Sequence, residues 1–541
     1  MFEEVWAALA LALIPWACVV AYRARRFLHI LQLEEYLSPS FLRWLGAQRS
    51  RYIHPRIVFA SALATACAIV IDDIGLALTI LVAGGLAFPN QKWRAKKPLV
   101  LTGRAKRLYA MTMLIATVAV ALPAFGVLMV QGSGWWVLRS ALLPAIWFAV
   151  FAGHVVLLAN LLLWPYEERG RRRFQRMAEQ KLRERRPKVI AITGSAGKTT
   201  TKELVAHVLS ARYRVLRTPS SFNTPMGISR TVNDSLTDQD YFVVEMGAYT
   251  KGEIAKLCRL VGGTDASVIT TVNAQHLERF GSLEKTAEAK FEIVEGLKPG
   301  GTAVLNFDVP AVRQHSRRFQ ELDILTFGVE SDDVRLRATA VREQEGGIEV
   351  DVTVDGQTAT VRAPLLGRHN ATNILAAIGV GLTCGLDLPY MAAALRQARP
   401  PEHRLQPMTL PTGGVYLDDG YNGNPEGIIG ALEVLGAYAP KRRIVITPGL
   451  IEMGKDRAQY HEAIGRAAAQ NVDVAFLVGP KQTADIRAGM VVAGFPEANV
   501  HTVRSLEEAR DRISAMNGWD AGNAVLVAND LPDQFDEFLV I

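Results

Sequence analysis

The residues best suited to chemistry form the run Gly194-Ser-Ala-Gly-Lys-Thr-Thr200. Glycines at this spacing let backbone N–H groups turn inward onto phosphate oxygens, and a helix starting there adds its partial positive charge. Lys198 is placed for the terminal phosphates of a nucleotide, and Thr199 for Mg2+. The pattern G-x-x-G-K-T is shorter than the common phosphate loop, so context matters. Lys188–Thr193 is apolar and β-branched and predicts a buried strand. After the loop, Lys202 to Leu209 has helical spacing, with Leu204, Val205, Val208 and Leu209 on one side. Strand, glycine loop and helix together predict a phosphate site. The plainer alternative is a structural turn with a solvated lysine.

Other candidates follow in order. Tyr241–Val244 predicts a buried strand with Glu245 at its carboxyl end, where α/β sheets place ligand-binding residues. A carboxylate there suits a hard cation, although it also suits a helix start. His276 follows the predicted strand Ala266–Val272, and a lone histidine is more often structural. Lys290 shares a predicted helix with Ala287, Phe291 and Val294, where an ordinary exposed lysine is the plain reading. Asn370 and Asn373 open a helix. Their amides offer a donor and an acceptor to a base edge, or cap the helix. Arg404 follows a joint at Pro400–Pro401. Asp419 and Asn422 fall in the turn-rich run Asp418–Pro425, after the predicted strand Gly414–Leu417.

The phosphate loop and seven further motifs, in this order, resemble the Mur ligase family, nearest its D-alanyl-D-alanine-adding branch. The seven are Ser221–Gly227, Val244–Ala248, His276–Ser282, Glu288–Ile293, Leu366–Asn373, Glu402–Leu405 and Asp418–Pro425. The resemblance covers about Val189 to Gly479. It implies ATP held by Gly194, Ser195, Ala196, Gly197, Lys198, Thr199 and Thr200. It also implies two Mg2+ ions on Thr199, Glu245, His276 and Lys290, the last carbamylated so that an ammonium becomes an anionic ligand. Asn370 and Asn373, with His369, are implied near the adenine. Arg404, Asp419 and Asn422 are implied to reach the nucleotide from the third domain, with Tyr421 nearby. The implied catalytic set is Lys198, Glu245, His276, Lys290 and Arg404. The implied reaction joins a carboxylate to an amine through an acyl-phosphate.

The chain departs from the family in two places. A soluble N-terminal domain for the UDP end of the donor is absent, and an apolar third stands there instead. Thr447–Gly454 and Val527–Leu531 differ from the usual acceptor-side patterns. A lipid-linked or membrane-proximal carboxylate donor is therefore expected, with an amino-acid or peptide amine left open. The runners-up are a membrane-bound poly-γ-glutamate-type synthase and a non-ligase membrane ATPase subunit. A transporter would need more polar residues within its spans than Asp72 and Asp73.

These residues need elements to hold them. The chain has 541 residues, 49% of them hydrophobic, with the apolar excess before about residue 165. Apolar runs at Val5–Tyr22, Ile57–Phe88, Leu108–Val130 and Trp136–Trp164 predict about five spans, the second run turning at Asp72–Asp73. Arg23–Arg56, Lys92–Arg107 and Arg169–Lys188 are basic, and the intervening turns are not. That alternation places everything after Pro165 in the cytoplasm of a multi-pass inner-membrane protein. The net charge of +7 is thus read as topology and lipid contact rather than nucleic-acid binding. Four scattered cysteines exclude a zinc ribbon and a disulfide scaffold. The expected fold is an N-terminal helical transmembrane region (residues 1–165) and a basic linker helix (166–188). A phosphate-loop α/β central domain (189–398) and a Rossmann-like C-terminal domain (399–541) follow.

Overall fold

The computed structural model describes residues 2–47, 53, 55–70, 98–131, 134–248, 250–273, 282–344, 346–421, 423–450 and 456–529. Two compact units divide near residue 171.

The first unit is helical. Its described helices are Phe2–Leu33, Ser38–Ala47, Pro55–Val70, Gly103–Gln131 and the start of Gly134–Arg185. Trp16 and Val19 pack with Ile57, Ala60, Ala64, Leu142 and Ile146. Phe27, Leu28 and Leu31 pack with Phe41, Leu45, Leu108 and Val156. Among the described residues, two helices, Gly103–Val130 and Arg139–Arg185, are long and apolar enough to cross a membrane. The expected turn at Asp72–Asp73 and the span after it lie outside the described residues. The expected linker helix is not a separate element, because the last apolar helix continues unbroken to Arg185. Pro165 does not end it, and the Arg, Glu and Gln that follow are good helix formers. The helix bends instead at Phe151, where φ is −95° and ψ is 17°.

The second unit holds two sheets. Among the described residues, the first has nine strands: β1 Lys188–Thr193, β2 Val215–Arg217, β3 Tyr241–Glu245, β4 Thr264–Ile269, β5 Leu297–Asn306, β6 Asp323–Gly328, β7 Leu336–Gln344, β8 Gly347–Val354 and β9 Gln357–Ala363. Their order is β2-β3-β1-β4-β5-β6-β7-β8-β9. Pairing is parallel from β2 through β7 and antiparallel from β7 to β9. β3 is buried along its whole length, as a strand covered on both faces must be. Helices Lys198–Ser210 and Asn370–Thr383 cover one face, and Pro225–Ser235, Glu253–Val261 and Leu283–Glu295 the other.

The second sheet has the order β10-β11-β15-β12-β13-β14. Its strands are β10 Gln406–Thr409, β11 Val415–Asp419, β12 Arg442–Thr447, β13 Val474–Val478, β14 Val500–Val503 and β15 Asn523–Ala528. β10 pairs antiparallel at the edge, and the other pairings are parallel. Sequence patterning missed β10. It is short and carries Pro407, which an edge strand tolerates because proline has no N–H to donate. β11 also runs two residues past the expected strand, so Asp419 ends a strand rather than sitting in the turn.

Two helices of the C-terminal domain meet through glycine. A Cβ on Gly465 would lie 2.2 Å from the Ile486 carbonyl oxygen, and one on Gly489 2.4 Å from that of Glu462. Neither oxygen can move without moving its helix. Gly465→Ala is expected to destabilise this domain by about 2 kcal/mol through overpacking. Gly170→Ala, in a helix with nothing within 4 Å of the added Cβ, is expected to stabilise its helix by roughly 0.5 kcal/mol. Amide hydrogen exchange reads the regions separately. Equal protection in wild type and Gly465→Ala would contradict the packing described.

Candidate nucleotide site

The carboxyl ends of β1, β3 and β4 converge. From β1 the chain enters the glycine loop, where Gly194 has φ +157° and Gly197 has φ +80°. Gly197 is left-handed and precedes the helix, a conformation that favours glycine. A Cβ on it would lie 2.4 Å from Asn373 Oδ1, and one on Gly194 1.9 Å from Thr270 Oγ1. The segment after β4 braces the loop from behind. Ser195 N donates to Thr271 O at 2.8 Å, Ala196 N donates to Thr271 Oγ1 at 2.8 Å, and Thr270 Oγ1 donates to Ala196 O at 2.5 Å. Lys198 Nζ folds back onto the carbonyls of Gly194 at 2.8 Å and Ser195 at 3.2 Å. The first helix residue thus puts its charge over the loop's mouth.

Glu245 ends β3 and is 1% exposed. Thr199 Oγ1 donates to its Oε2 at 2.9 Å, and Asn223 Nδ2 to its Oε1 at 3.2 Å. Lys202 Nζ lies 3.8 Å from Oε2. Lys290, on the helix Leu283–Glu295, is also buried. Burial, and next the nearby Lys198 charge, push its ammonium well below the usual lysine range. Burial also lowers Lys198, with Glu245 opposing and Arg404 adding to the shift. Two lysines and an arginine therefore feel one another's charge around the loop.

Among the described residues, no three of His, Cys, Asp and Glu converge as a metal cluster. Thr199 and Glu245 nonetheless present adjacent hydroxyl and carboxylate oxygens beside the loop, a donor pair that fits Mg2+ completed by phosphate oxygens and water. His276 lies outside the described residues.

Asn370 and Asn373 are buried, and much of their hydrogen-bonding capacity is used within the protein. Asn370 Nδ2 donates to Leu366 O at 2.7 Å, and Asn373 Nδ2 to Asn370 Oδ1 at 2.8 Å. Thr201 Oγ1 donates to Asn373 Oδ1 at 3.0 Å, which ties their helix to the loop helix. Neither is the helix cap, a place taken by His369. Thr200 is buried on the loop helix.

The C-terminal domain faces the same loop. Arg404 Nη1 donates to Tyr421 O at 2.8 Å, and its guanidinium lies 4.8 Å from the centre of the Tyr421 ring. Asp419 Oδ1 accepts from Leu405 N at 3.1 Å. Asp419 keeps some solvent exposure, yet burial among protein atoms pushes its carboxyl up to about 7 against the pull of Arg404. Across the domain boundary Ser221 Oγ meets Tyr421 OH, and Asn273 Nδ2 donates to Glu426 Oε2 at 2.5 Å. Asn422 lies outside the described residues.

Lys202, Thr271, Asn273 and Glu426 were not singled out by sequence, although each touches the site. Lys202 carried a readable signal, since it shares a helix face with Val205 and Leu209 and so puts a charge in an apolar stripe. The others carry none, because their partners are more than 70 residues away.

Residues 192–381 match the Mur ligase middle domain, and residues 403–529 the Mur ligase glutamate ligase domain. The chain is 32% identical over 298 residues to the UDP-N-acetylmuramoyl-tripeptide–D-alanyl-D-alanine ligase of Escherichia coli, covering 55% of this chain and 66% of that one. It is 34% identical over 296 residues to the Mycobacterium tuberculosis enzyme of that name, covering 54% and 58%. It thus spans less than two thirds of these relatives' lengths. Among solved structures, MurF from Acinetobacter baumannii superposes with a TM-score of 0.60 at 23% identity, over 67% of this chain and 78% of that one. MurF from Thermotoga maritima in complex with ADP gives 0.59 at 24%, over 68% and 82%. A glycine loop braced by the segment after β4, a carboxylate at the end of β3 and two matched domains in sequence together assign this chain to the Mur ligase family.

Proposed function

We propose that the protein is an ATP-dependent, amide-forming ligase that works through an acyl-phosphate in peptidoglycan-precursor synthesis. The observation that carries this is the gathering of Lys198, Lys290 and Arg404 charge around one glycine loop, beside the Thr199–Glu245 oxygen pair. Such a site cancels negative charge on two anions that must meet, a nucleotide and a carboxylate. The relatives' names give the chemistry, joining D-alanyl-D-alanine to a UDP-linked muramoyl tripeptide.

In this reading residues 189–398 bind the nucleotide and residues 399–541 close over it. The loop from Gly194 to Gly197 cradles the phosphates, and Thr199 and Thr200 begin the helix behind them. Lys198 releases the loop carbonyls and turns to the terminal phosphates. Mg2+ held at Thr199 and Glu245, with His276 and a carbamylated Lys290 for a second ion, supplies charge neutralisation there. A substrate carboxylate attacks the γ-phosphorus, ADP leaves, and an amine displaces phosphate from the acyl-phosphate. Arg404, anchored at Tyr421, stabilises the transferring group. Asp419 and Asn422 meet the nucleotide from the C-terminal domain, which keeps water from the acyl-phosphate. Asn370 and Asn373 shape the nucleotide pocket through the back of the loop.

Residues 1–165 act as a membrane anchor of about five helices. The support is two helices of sufficient length and apolarity, with exposed Arg169, Arg171, Arg172, Arg173 and Arg176 on the later part of the second. The catalytic domains then lie on the cytoplasmic side of the inner membrane, and the donor is a membrane-proximal or lipid-linked carboxylate.

The direct test is ADP release by the detergent-purified protein, with candidate carboxylates and amines supplied singly and in pairs. Release that needs both, yields an amide and falls at least 100-fold in Lys198→Ala is expected. Release that needs no carboxylate would sink the ligase reading. For Lys290, 13C-bicarbonate is expected to give a carbamate signal that Lys290→Ala lacks. A wild-type protein without that signal would remove the modified lysine from the mechanism.

A further inference from the structure

The loop helix carries a second lysine. The Lys202 side chain is 0% exposed, and its surroundings are specific. Its ammonium donates to Ser220 O and lies 3.8 Å from Glu245 Oε2 and 3.3 Å from Glu203 Oε1. Glu203 is held in turn by Arg217 Nε at 2.5 Å. A fully buried ammonium is costly unless paired and hydrogen-bonded, and here each partner belongs to a different element.

The two ends of this arrangement face different tasks. At one end is the Glu245 carboxylate, fixed also by Thr199 and Asn223. At the other is Ser220, a non-glycine residue with φ +45°, in the left-handed region that serine adopts only when held there. Lys202 grips the carbonyl of that residue. The next residue, Ser221, meets the Tyr421 hydroxyl of the C-terminal domain, and the Tyr421 carbonyl accepts from Arg404. One buried cation therefore sits between the carboxylate beside the phosphate loop and the strained turn that receives the other domain.

We infer that Lys202 is a positioning residue whose ammonium fixes the Glu245 carboxylate for Mg2+ and, through Ser220, sets the turn that docks the C-terminal domain. This rests on the nucleotide reading above. Lys202 reaches Ser220, Glu203 and Glu245 through its ammonium. It acts by removing the rotational freedom of Glu245 and by holding a backbone conformation that would otherwise relax. An apolar side chain of similar length would fill the space, leave Glu245 held by Thr199 and Asn223 without the ammonium, and let Ser220 return to an ordinary conformation.

The test uses the full chain in detergent and reads ADP binding by calorimetry, in EDTA and across a Mg2+ titration, with a melting curve for each variant. Wild type is expected to bind ADP more tightly as Mg2+ is added. Lys202→Met is expected to keep its affinity in EDTA within about two-fold and to need at least ten-fold more Mg2+ for the gain, the usual size of effect when a group that orients a metal ligand is lost. Lys202→Arg, which keeps the charge but not the fit, is expected between the two. An unchanged Mg2+ requirement in folded Lys202→Met would overturn the inference, as would an equal loss in EDTA and in Mg2+. If Lys202→Met does not fold, Lys202→Arg decides: a raised Mg2+ requirement with unchanged affinity in EDTA supports positioning, and wild-type behaviour overturns it. Wild-type protein that shows no Mg2+-dependent ADP binding would instead defeat the nucleotide reading itself.

Discussion

Positive charge is expensive to bury, and this protein gathers it around a single turn of backbone. Lys198, Lys202 and Lys290 come from two helices, and Arg404 comes from another domain. Among the described residues, Glu245 is the carboxylate whose charge opposes the burial of both Lys198 and Lys202. Glu203 shares Lys202 with it and Asp419 feels Arg404, while Lys198 and Lys290 repel each other. In the proposed reaction a nucleotide phosphate would add negative charge there, so that a second, carboxylate anion could approach.

The rest of the second unit follows from holding those charges still. A parallel sheet buried on both faces brings β1, β3 and β4 to a common edge, so the loop, Glu245 and the Thr270–Asn273 brace meet without long side chains having to reach. The helix Asn370–Thr383 lies against the loop helix and fills the space behind Gly197. The antiparallel strands β7 to β9 stand at the far edge and extend the core rather than the site. The C-terminal domain meets this region through Arg404, Tyr421 and Glu426, and Leu366 packs into its core.

Much of this was legible in the sequence because it is local. The strand before the loop, the glycines and the helix after it announce themselves by period and residue type within about 25 residues. Glu245 was readable because an apolar run ended in a carboxylate. Ile348-Glu-Val-Asp-Val-Thr-Val354 alternates with period two and forms most of β8. What patterning missed is either long-range or subtle. The bond from Thr201 to Asn373 joins residues 172 positions apart. The amides of Asn370 and Asn373 suggested a base edge or a cap, and in the fold they are engaged in bracing the loop. Proline hid the edge strand β10, and a proline suggested a boundary at residue 165 where the helix in fact runs on.

In the proposed reaction a carboxylate attacks the nucleotide's terminal phosphorus before any amine enters. The most direct measurement labels the donor carboxylate with oxygen-18 and follows the label by mass spectrometry of the released phosphate. Transfer of one labelled oxygen from the carboxylate to phosphate for each amide formed is the predicted result, because the acyl-phosphate bridge must break on the carbonyl side. Phosphate that takes its new oxygen from labelled water and carries none of the donor carboxylate's label would contradict it.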